Sequence, residues 1–134
     1  AAASDALLGS LNGVFFTDAS SSKPTFANHL DASNTATDIV GFVSDDPYER
    51  FEIQADGATA AADVGLNADI VYAAGSSPDY VSKVELQTSD QKTGTAQLRI
   101  LAISKDPDNN TAGSANVNLV VLINEHQLKA TAGV

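Results

Sequence analysis

The sequence predicts an all-β protein, a single-domain β-sandwich or small barrel with long loops that takes in residues 1–134. About seven short segments alternate apolar and polar residues, which is the period of strands with one buried face. Turn-forming Gly, Ser, Asp and Pro separate these segments. Apart from them, the alanine-rich segment at residues 58–63 is suited to a turn of helix.

The alternating segments are the predicted strands, at residues 6–16, 39–43, 50–55, 66–72, 81–88, 97–104 and 117–123. In the first of them, Gly9 or Gly13 is expected to mark a bulge or a bend. The last two are joined by a polar loop at residues 105–114, so we expect them to pair as an antiparallel hairpin.

One hydrophobic core is predicted from the alternation. In residues 97–104, Leu98, Ile100 and Ala102 share one face, and the other face is also largely apolar, so this strand is expected to be covered on both sides. The residues expected to meet in the core are Phe51, Ile53, Leu98, Ile100, Val121 and Ile123. A chain of 134 residues buries about two-thirds of its unfolded surface, so it needs no disulfide, and it has no cysteine.

Residues 17–38 are predicted to form one long surface loop, because Ser, Thr, Asn, Ala and Asp dominate them. Loops of this length in small domains are usually functional or mobile. Phe26 and Leu30 are its large apolar residues, and they act either as anchors onto the domain or as contacts with another chain. We favour the second role, because the small polar residues around them offer little to pack against. Tyr48 and Arg50, around the start of the third predicted strand, complete the predicted partner contacts.

The charge of the chain excludes some classes of partner. Seventeen acidic and seven basic residues give a formal net charge of −10 and a pI near 4.2. Nucleic acid is not an expected partner, because binding to phosphates depends on clustered Lys and Arg. A membrane is not expected either, because no apolar run approaches the roughly 18 residues of a spanning helix.

No arrangement of residues in the sequence predicts catalysis, a cofactor or a metal site. The histidines, His29 and His126, have no nucleophile motif such as Gly-x-Ser-x-Gly nearby, and we expect both to be surface or interface residues. Asp106 and Asp108 lie in an ordinary turn sequence that lacks the glycine and glutamate of a calcium-binding loop. We therefore expect a protein that is not an enzyme.

Several short runs of residues carry a resemblance to a known family. In the central stretch they are Ser44-Asp45-Asp46-Pro47, Phe51-Glu52-Ile53-Gln54, Asp56-Gly57 and Ala61-Ala62-Asp63-Val64-Gly65-Leu66-Asn67-Ala68-Asp69. In the C-terminal third they are Gln97-Leu98, Asp108-Asn109 and Val121-Leu122-Ile123-Asn124-Glu125-His126-Gln127-Leu128. In their order and spacing, over residues 6–128 with gaps, they resemble the decoration (cement) proteins encoded beside the major capsid protein in many tailed-phage genomes. Residues 19–37 are peculiar to this chain, and the Gly/Pro-rich N-terminal segment of the family would lie before Ala1.

The resemblance implies a structural virion protein on the outer capsid surface of a phage head, where it reinforces contacts between major capsid protein subunits. It also implies a homotrimer at local three-fold positions, with a dimer or monomer as the alternative. The acidic composition permits such a position without requiring it.

A second hypothesis is a receptor- or carbohydrate-binding β-domain of a phage surface fibre. Sugar sites usually need exposed aromatic residues, whereas this chain has no tryptophan and three tyrosines, Tyr48, Tyr72 and Tyr80. The two hypotheses differ in copy number, since a decoration protein is present many times on each particle and a receptor-binding domain only a few times.

Overall fold

The computed structural model describes residues 5–73, 75 and 77–129, and it confirms the all-β class. Within those residues three antiparallel sheets are joined by loops and by 3-10 turns of three residues each. The strands are β1 (Ser10–Thr17), β2 (Pro24–Ala27), β3 (Val40–Ser44), β4 (Arg50–Gln54), β5 (Asn67–Ala68), β6 (Ile70–Val71), β7 (Glu85–Leu86), β8 (Leu98–Ile103) and β9 (Asn118–Ile123).

The first sheet has three strands in the order β2-β1-β3. The prediction of one long loop at residues 17–38 is wrong in part, because β2 lies inside it and forms an antiparallel hairpin with β1. Pro24 begins β2 at an edge of the sheet, where a missing N–H costs no ladder hydrogen bond. The polar composition of the segment reflects its turns and hid the short strand between them.

The second sheet has four strands in the order β4-β9-β8-β5, and β8 and β9 form the antiparallel hairpin expected from the sequence. Its inner face builds the main core, which also takes in Leu86 from the two-stranded β6-β7 sheet. The buried members are Ala55, Ala68, Leu86, Leu98, Ile100, Val117, Leu119, Val121 and Ile123. Phe51 and Ile53 pack against this cluster while partly buried, so the predicted core is confirmed.

A β-bulge in β8 corrects the predicted faces of that strand. The register against β9 shifts between Ile100 and Ala102, so the strict alternation stops there. Ile103 is therefore packed against the core and Ala102 is exposed, the reverse of the predicted arrangement. The strand is not covered on both sides, since its outer face is partly open to solvent.

The predicted strand at residues 66–72 is divided into β5 and β6 by Asp69. This side chain is 3% exposed, accepts a hydrogen bond from the backbone N–H of Gln97 at 3.2 Å and forms an ion pair with Lys92 at 3.1 Å. Its carboxylate lies where a regular strand would place an apolar residue, and the chain passes there from β8 to a new partner, β7. Of the predicted strand at residues 81–88, only Glu85–Leu86 forms a strand, β7, which pairs with β6.

The segment that precedes β1 is fixed to the end of β9. The backbone N–H of Leu7 donates to the carbonyl of Glu125 at 2.8 Å, and the N–H of Gln127 donates to the carbonyl of Leu7 at 2.9 Å. Gly9 then passes so close to β3 that an added Cβ would lie 1.8 Å from the carbonyl oxygen of Ser44. Glycine is therefore required where the chain enters the three-stranded sheet.

Candidate interaction surface

A tight turn positions β2 beside β1. Both the backbone N–H and the hydroxyl of Ser20 and of Ser21 donate to one oxygen, Oδ1 of Asp18, at 2.6 to 3.0 Å. The Ser20 hydroxyl is the largest of the effects that lower the pKa of Asp18 to about 2, because each of these bonds favours the ionised carboxylate. The turn is therefore held by a charged acceptor at neutral pH, which fixes the register of the hairpin.

That register brings four large apolar side chains onto one face of the sheet. Phe15 lies directly opposite Phe26 on β2 and Val40 on β3, and residues opposite one another share a face. The ring centroids of Phe15 and Phe26 are 4.9 Å apart, and those of Phe26 and Phe42 are 6.4 Å apart. We call Phe15, Phe26, Val40 and Phe42 the aromatic face.

The aromatic face is open to solvent. Phe26 is 73% exposed, Val40 50% and Phe42 48%, and only Phe15 is half-buried. Fully burying one such side chain is worth about 1.5–3 kcal/mol, so their combined exposure forgoes several kcal/mol in the free protein. A contiguous patch of this kind is typical of a surface that binds another molecule.

The opposite face of the same sheet is buried in part. Val14 is 4% exposed and Phe16 is 8% exposed, and both alternate along β1 with Phe15. Leu11, near the start of β1 on that face, is 54% exposed. Strand β1 is therefore packed on one side at Val14 and Phe16, while its other side carries the aromatic face.

The predicted contact residues fall into separate groups. Phe26 lies in the aromatic face, but on a strand and not on a loop. Leu30 is 41% exposed and follows His29, whose ring stacks on Tyr80 with centroids 3.8 Å apart. The contact of Asn28 Nδ2 with the carbonyl of Asp79, at 3.2 Å, holds this part of the chain to the segment before β7.

Arg50 belongs to the four-stranded sheet, and Tyr48 lies in the turn that precedes it. Tyr48 is 75% exposed, and the Nζ of Lys129 lies 4.6 Å from its ring centroid. Arg50 begins β4 and lines a shallow open depression on the outer face of that sheet with Glu52, Leu101 and Val120. Neither residue is on the sheet of Phe26, and the structure does not unite the four predicted residues in one patch.

Phe15, Val40 and Phe42 are functional candidates that the sequence reasoning missed. Each lies in a segment that the sequence marks as an apolar strand, which favours a core position by default. The available signal was the hairpin itself: Asp18 followed by serines is a turn signature, and the residues after it, Thr25 and Phe26, favour a strand.

The buried side chains of Gln97 and His126 hold neighbouring segments of the fold together. Gln97 receives the N–H of Ile70 on Oε1 at 3.1 Å and donates from Nε2 to the carbonyl of Asp5 at 2.8 Å. His126 is 2% exposed and its Nδ1 accepts the N–H of Leu128 at 3.0 Å, so the prediction of a surface or interface position is wrong for this histidine. It is buried because the segment around Leu7 pairs with it.

The described residues contain no group of three or more His, Cys, Asp or Glu arranged to hold a metal ion. Of the turn residues considered from the sequence, Asp106 accepts the N–H of Asp108 at 3.1 Å, and Asn109 donates to the carbonyl of Asn116 at 2.7 Å. In the same part of the chain, none of the helices has the length and apolar character to cross a membrane.

Comparison with known proteins identifies no relative of this chain. Neither a protein-family model, nor a curated protein, nor a solved structure matches the chain.

Proposed function

We propose that this protein is a decoration protein that binds the outer surface of a phage head through its aromatic face and reinforces contacts between major capsid protein subunits. The observation that carries the proposal is the exposure of Phe26, Val40 and Phe42 on a sheet whose other face buries Val14 and Phe16. The resemblance in sequence supplies the partner, the capsid shell, and the location, the outer capsid surface.

Binding to the shell needs no chemistry beyond differential affinity. A protein that binds the assembled lattice and not the free subunits stabilises the lattice by RT ln(1 + [L]/Kd) per site. Apolar rings in contact with the shell provide that affinity by leaving water, and the many copies on one particle add their separate effects. The net charge of −10 keeps the unbound protein soluble despite the exposed rings.

The proposal includes a homotrimer at local three-fold positions of the shell, and this part rests on the resemblance. Three linked copies would engage the shell together, so each aromatic face could bind weakly and the trimer would still be retained. Sedimentation velocity of the isolated protein distinguishes a trimer from the dimer or monomer.

The test is binding to heads assembled from the major capsid protein encoded in the same genome. We expect the protein to co-sediment with heads at saturating stoichiometry of many copies per particle and to raise the temperature at which the heads disrupt. Failure to co-sediment, or a copy number of only a few per particle, would contradict the proposal.

A few copies per particle is the result that the fibre-domain alternative predicts. Its supporting observation is the exposure of Tyr48 and Tyr72, at 75% and 64%. Lys129 lies over the ring of Tyr48, however, so that a cation already occupies the stacking surface that a sugar would need. We therefore rank the alternative second.

A further inference from the structure

β3 is an edge strand, and its outer side is unprotected. β3 pairs with β1 on one side, and within residues 5–73, 75 and 77–129 no strand pairs with its other side. Successive backbone groups of a strand point to alternate sides, so two or three residues of Val40–Ser44 direct N–H and C=O groups into solvent. Such a row is a template for another strand.

The other edges carry the features that natural proteins use to block pairing. β4 presents Arg50, Glu52 and Gln54 as exposed polar residues at the edge of the four-stranded sheet. β2 begins with Pro24 and has four residues, and β5, β6 and β7 have two each. β3 instead has the sequence Val-Gly-Phe-Val-Ser, without a charge or a proline. Its edge is therefore the one that is suited to accept a strand among those described.

Carboxylates flank β3 in the sequence. Asp38 precedes β3 and is turned toward β1, because the N–H and hydroxyl of Thr17 donate to it at 2.9 and 2.6 Å. Asp45 and Asp46 follow β3 directly, and both are exposed. An incoming strand would thus meet an apolar centre with exposed negative charge mainly at the end after Ser44, and basic residues at the matching end of that strand would complement the charge.

The same carboxylates disfavour a second copy as the occupant. An antiparallel pair of β3 strands centred on Phe42 would place Asp38 of one copy opposite Asp46 of the other. Like charges directly opposite one another destabilise a strand pair. In that register the edge of β3 favours a partner of opposite charge over a second copy.

We propose that β3 accepts an extended segment of the shell subunit, apolar at its centre and flanked by Lys or Arg, as a fourth strand of the β2-β1-β3 sheet. The inference rests on the proposed function and adds the mode of binding. Alternate side chains of the added strand would lie beside Val40 and Phe42, which also covers part of the aromatic face.

The first experiment measures backbone hydrogen exchange of the full chain, free and bound to heads assembled from the major capsid protein of the same genome. We expect the outward amides of Val40–Ser44 to be protected at least tenfold on binding, while the amides of β4 are unchanged. Binding to heads without protection of β3 would overturn this inference and leave the proposed function standing.

Protection of β3 that rises with protein concentration in the absence of heads would show a second copy at the edge and would also overturn the inference. Failure to bind heads would contradict the proposed function. The inference then fails with respect to the shell subunit, and the peptide experiment below shows whether the edge accepts basic-flanked strands at all.

The second experiment uses a synthetic peptide, Lys-Lys-Val-Thr-Val-Thr-Val-Lys-Lys, with a version in which glutamate replaces every lysine. We expect the lysine peptide to protect β3 and the glutamate peptide to bind more weakly. Two further versions carry N-methyl groups on one or the other alternate set of backbone amides, and one of them should lose binding. Equal binding of both methylated peptides would show that no strand is added and would overturn the inference.

A charge reversal tests the acidic flank. Asp45→Lys should weaken the lysine peptide about two- to fivefold, as expected for an exposed charge pair. Asp108→Lys is the matched control, because Asp108 is an exposed carboxylate in the loop between β8 and β9 and the change in net charge is the same. Equal weakening by both substitutions would show that only the net charge matters and would contradict the assigned flank.

Discussion

The two larger sheets contain similar apolar strands, but one sheet buries its apolar face and the other exposes it. In the four-stranded sheet, the inner face holds Ile100 and Val121 at 0% and 1% exposure, and the edge strand β4 carries charged side chains. In the three-stranded sheet, Phe26 and Phe42 are 73% and 48% exposed, and the edge strand β3 has no charge. The four-stranded sheet buries its apolar face within the domain. The three-stranded sheet retains exposed apolar surface and unpaired backbone groups at the edge of β3, which is the arrangement expected of a binding element.

The largest effect is expected in the core of the four-stranded sheet. Ile100→Ala should lower the free energy of unfolding by about 2–5 kcal/mol, because it removes buried methyl groups and leaves a cavity. Phe42→Ala removes a larger side chain from the aromatic face, yet it should change the free energy of unfolding by less than about 1 kcal/mol. Urea denaturation measures both. Equal losses would remove the distinction between the two sheets.

The sequence predicted the central hairpin of the four-stranded sheet but not the strand order around it. Alternation identified both β8 and β9, their hairpin and the core positions such as Leu98, because one buried face leaves a period-two pattern. Alternation gave the wrong faces for the residues after Leu101, because a β-bulge there shifts the register of β8. A single extra residue leaves the composition of the strand unchanged, so the sequence pattern does not reveal it.

The candidate surface was predictable only in part. Phe26 was predicted as a partner contact because its neighbours in the sequence are polar. Phe42 lies in an apolar run and therefore resembles a core residue. Periodicity indicates that a face is apolar and does not indicate what will cover it. The partner of Phe26 in the hairpin, Phe15, depends on the register that the Asp18 turn sets, and composition alone does not give that register.

The next effect concerns the point where the chain enters the three-stranded sheet. Gly9→Ala should destabilise the protein by about 1–3 kcal/mol, because the new Cβ would overlap the carbonyl oxygen of Ser44 and force β1 and β3 apart. Gly94→Ala is the control, since nothing lies within 4 Å of a Cβ at that position. Thermal unfolding of both variants checks the difference, and equal stability of the two would contradict it.

Asp69 gives the four-stranded sheet a dependence on pH. Burial acts to raise the pKa of Asp69, but the hydrogen bonds from Lys92 and from the backbone of Gln97 outweigh it and hold the pKa below its ordinary value of 3.8. The carboxylate therefore contributes stability above about pH 3.8, and that contribution is lost as the pH falls through the lower value in the folded protein.

Asp69→Asn should cost about 1–3 kcal/mol at pH 7 and should reduce the loss of stability between pH 4 and pH 2. Asp79→Asn, at an exposed carboxylate, is the matched control for the loss of one negative charge. Urea midpoints across that range measure the effect. A steeper acid loss in Asp69→Asn than in the unmodified protein would contradict the assigned ion pair.

A smaller and local effect is expected at the turn of the β1-β2 hairpin. Asp18→Ala removes the acceptor of the Ser20 and Ser21 donors, so the amides of β2 should exchange faster while those of β9 keep their rates. Hydrogen exchange resolved by residue makes this comparison. Acceleration across both sheets would show that the hairpin is not a separate local unit.

The most direct measurement compares Phe26, in the aromatic face, with Tyr72, an exposed aromatic residue outside it that follows β6. Phe26→Ser and Tyr72→Ser each remove a ring that is mostly exposed, at 73% and 64%, and neither should unfold the protein. In quantitative co-sedimentation with heads assembled from the major capsid protein of the same genome, we expect Phe26→Ser to weaken binding about tenfold or more. Tyr72→Ser should bind as the unmodified protein does. Undiminished binding of Phe26→Ser, with the protein folded, would contradict the assignment of the aromatic face as the surface that docks on the shell.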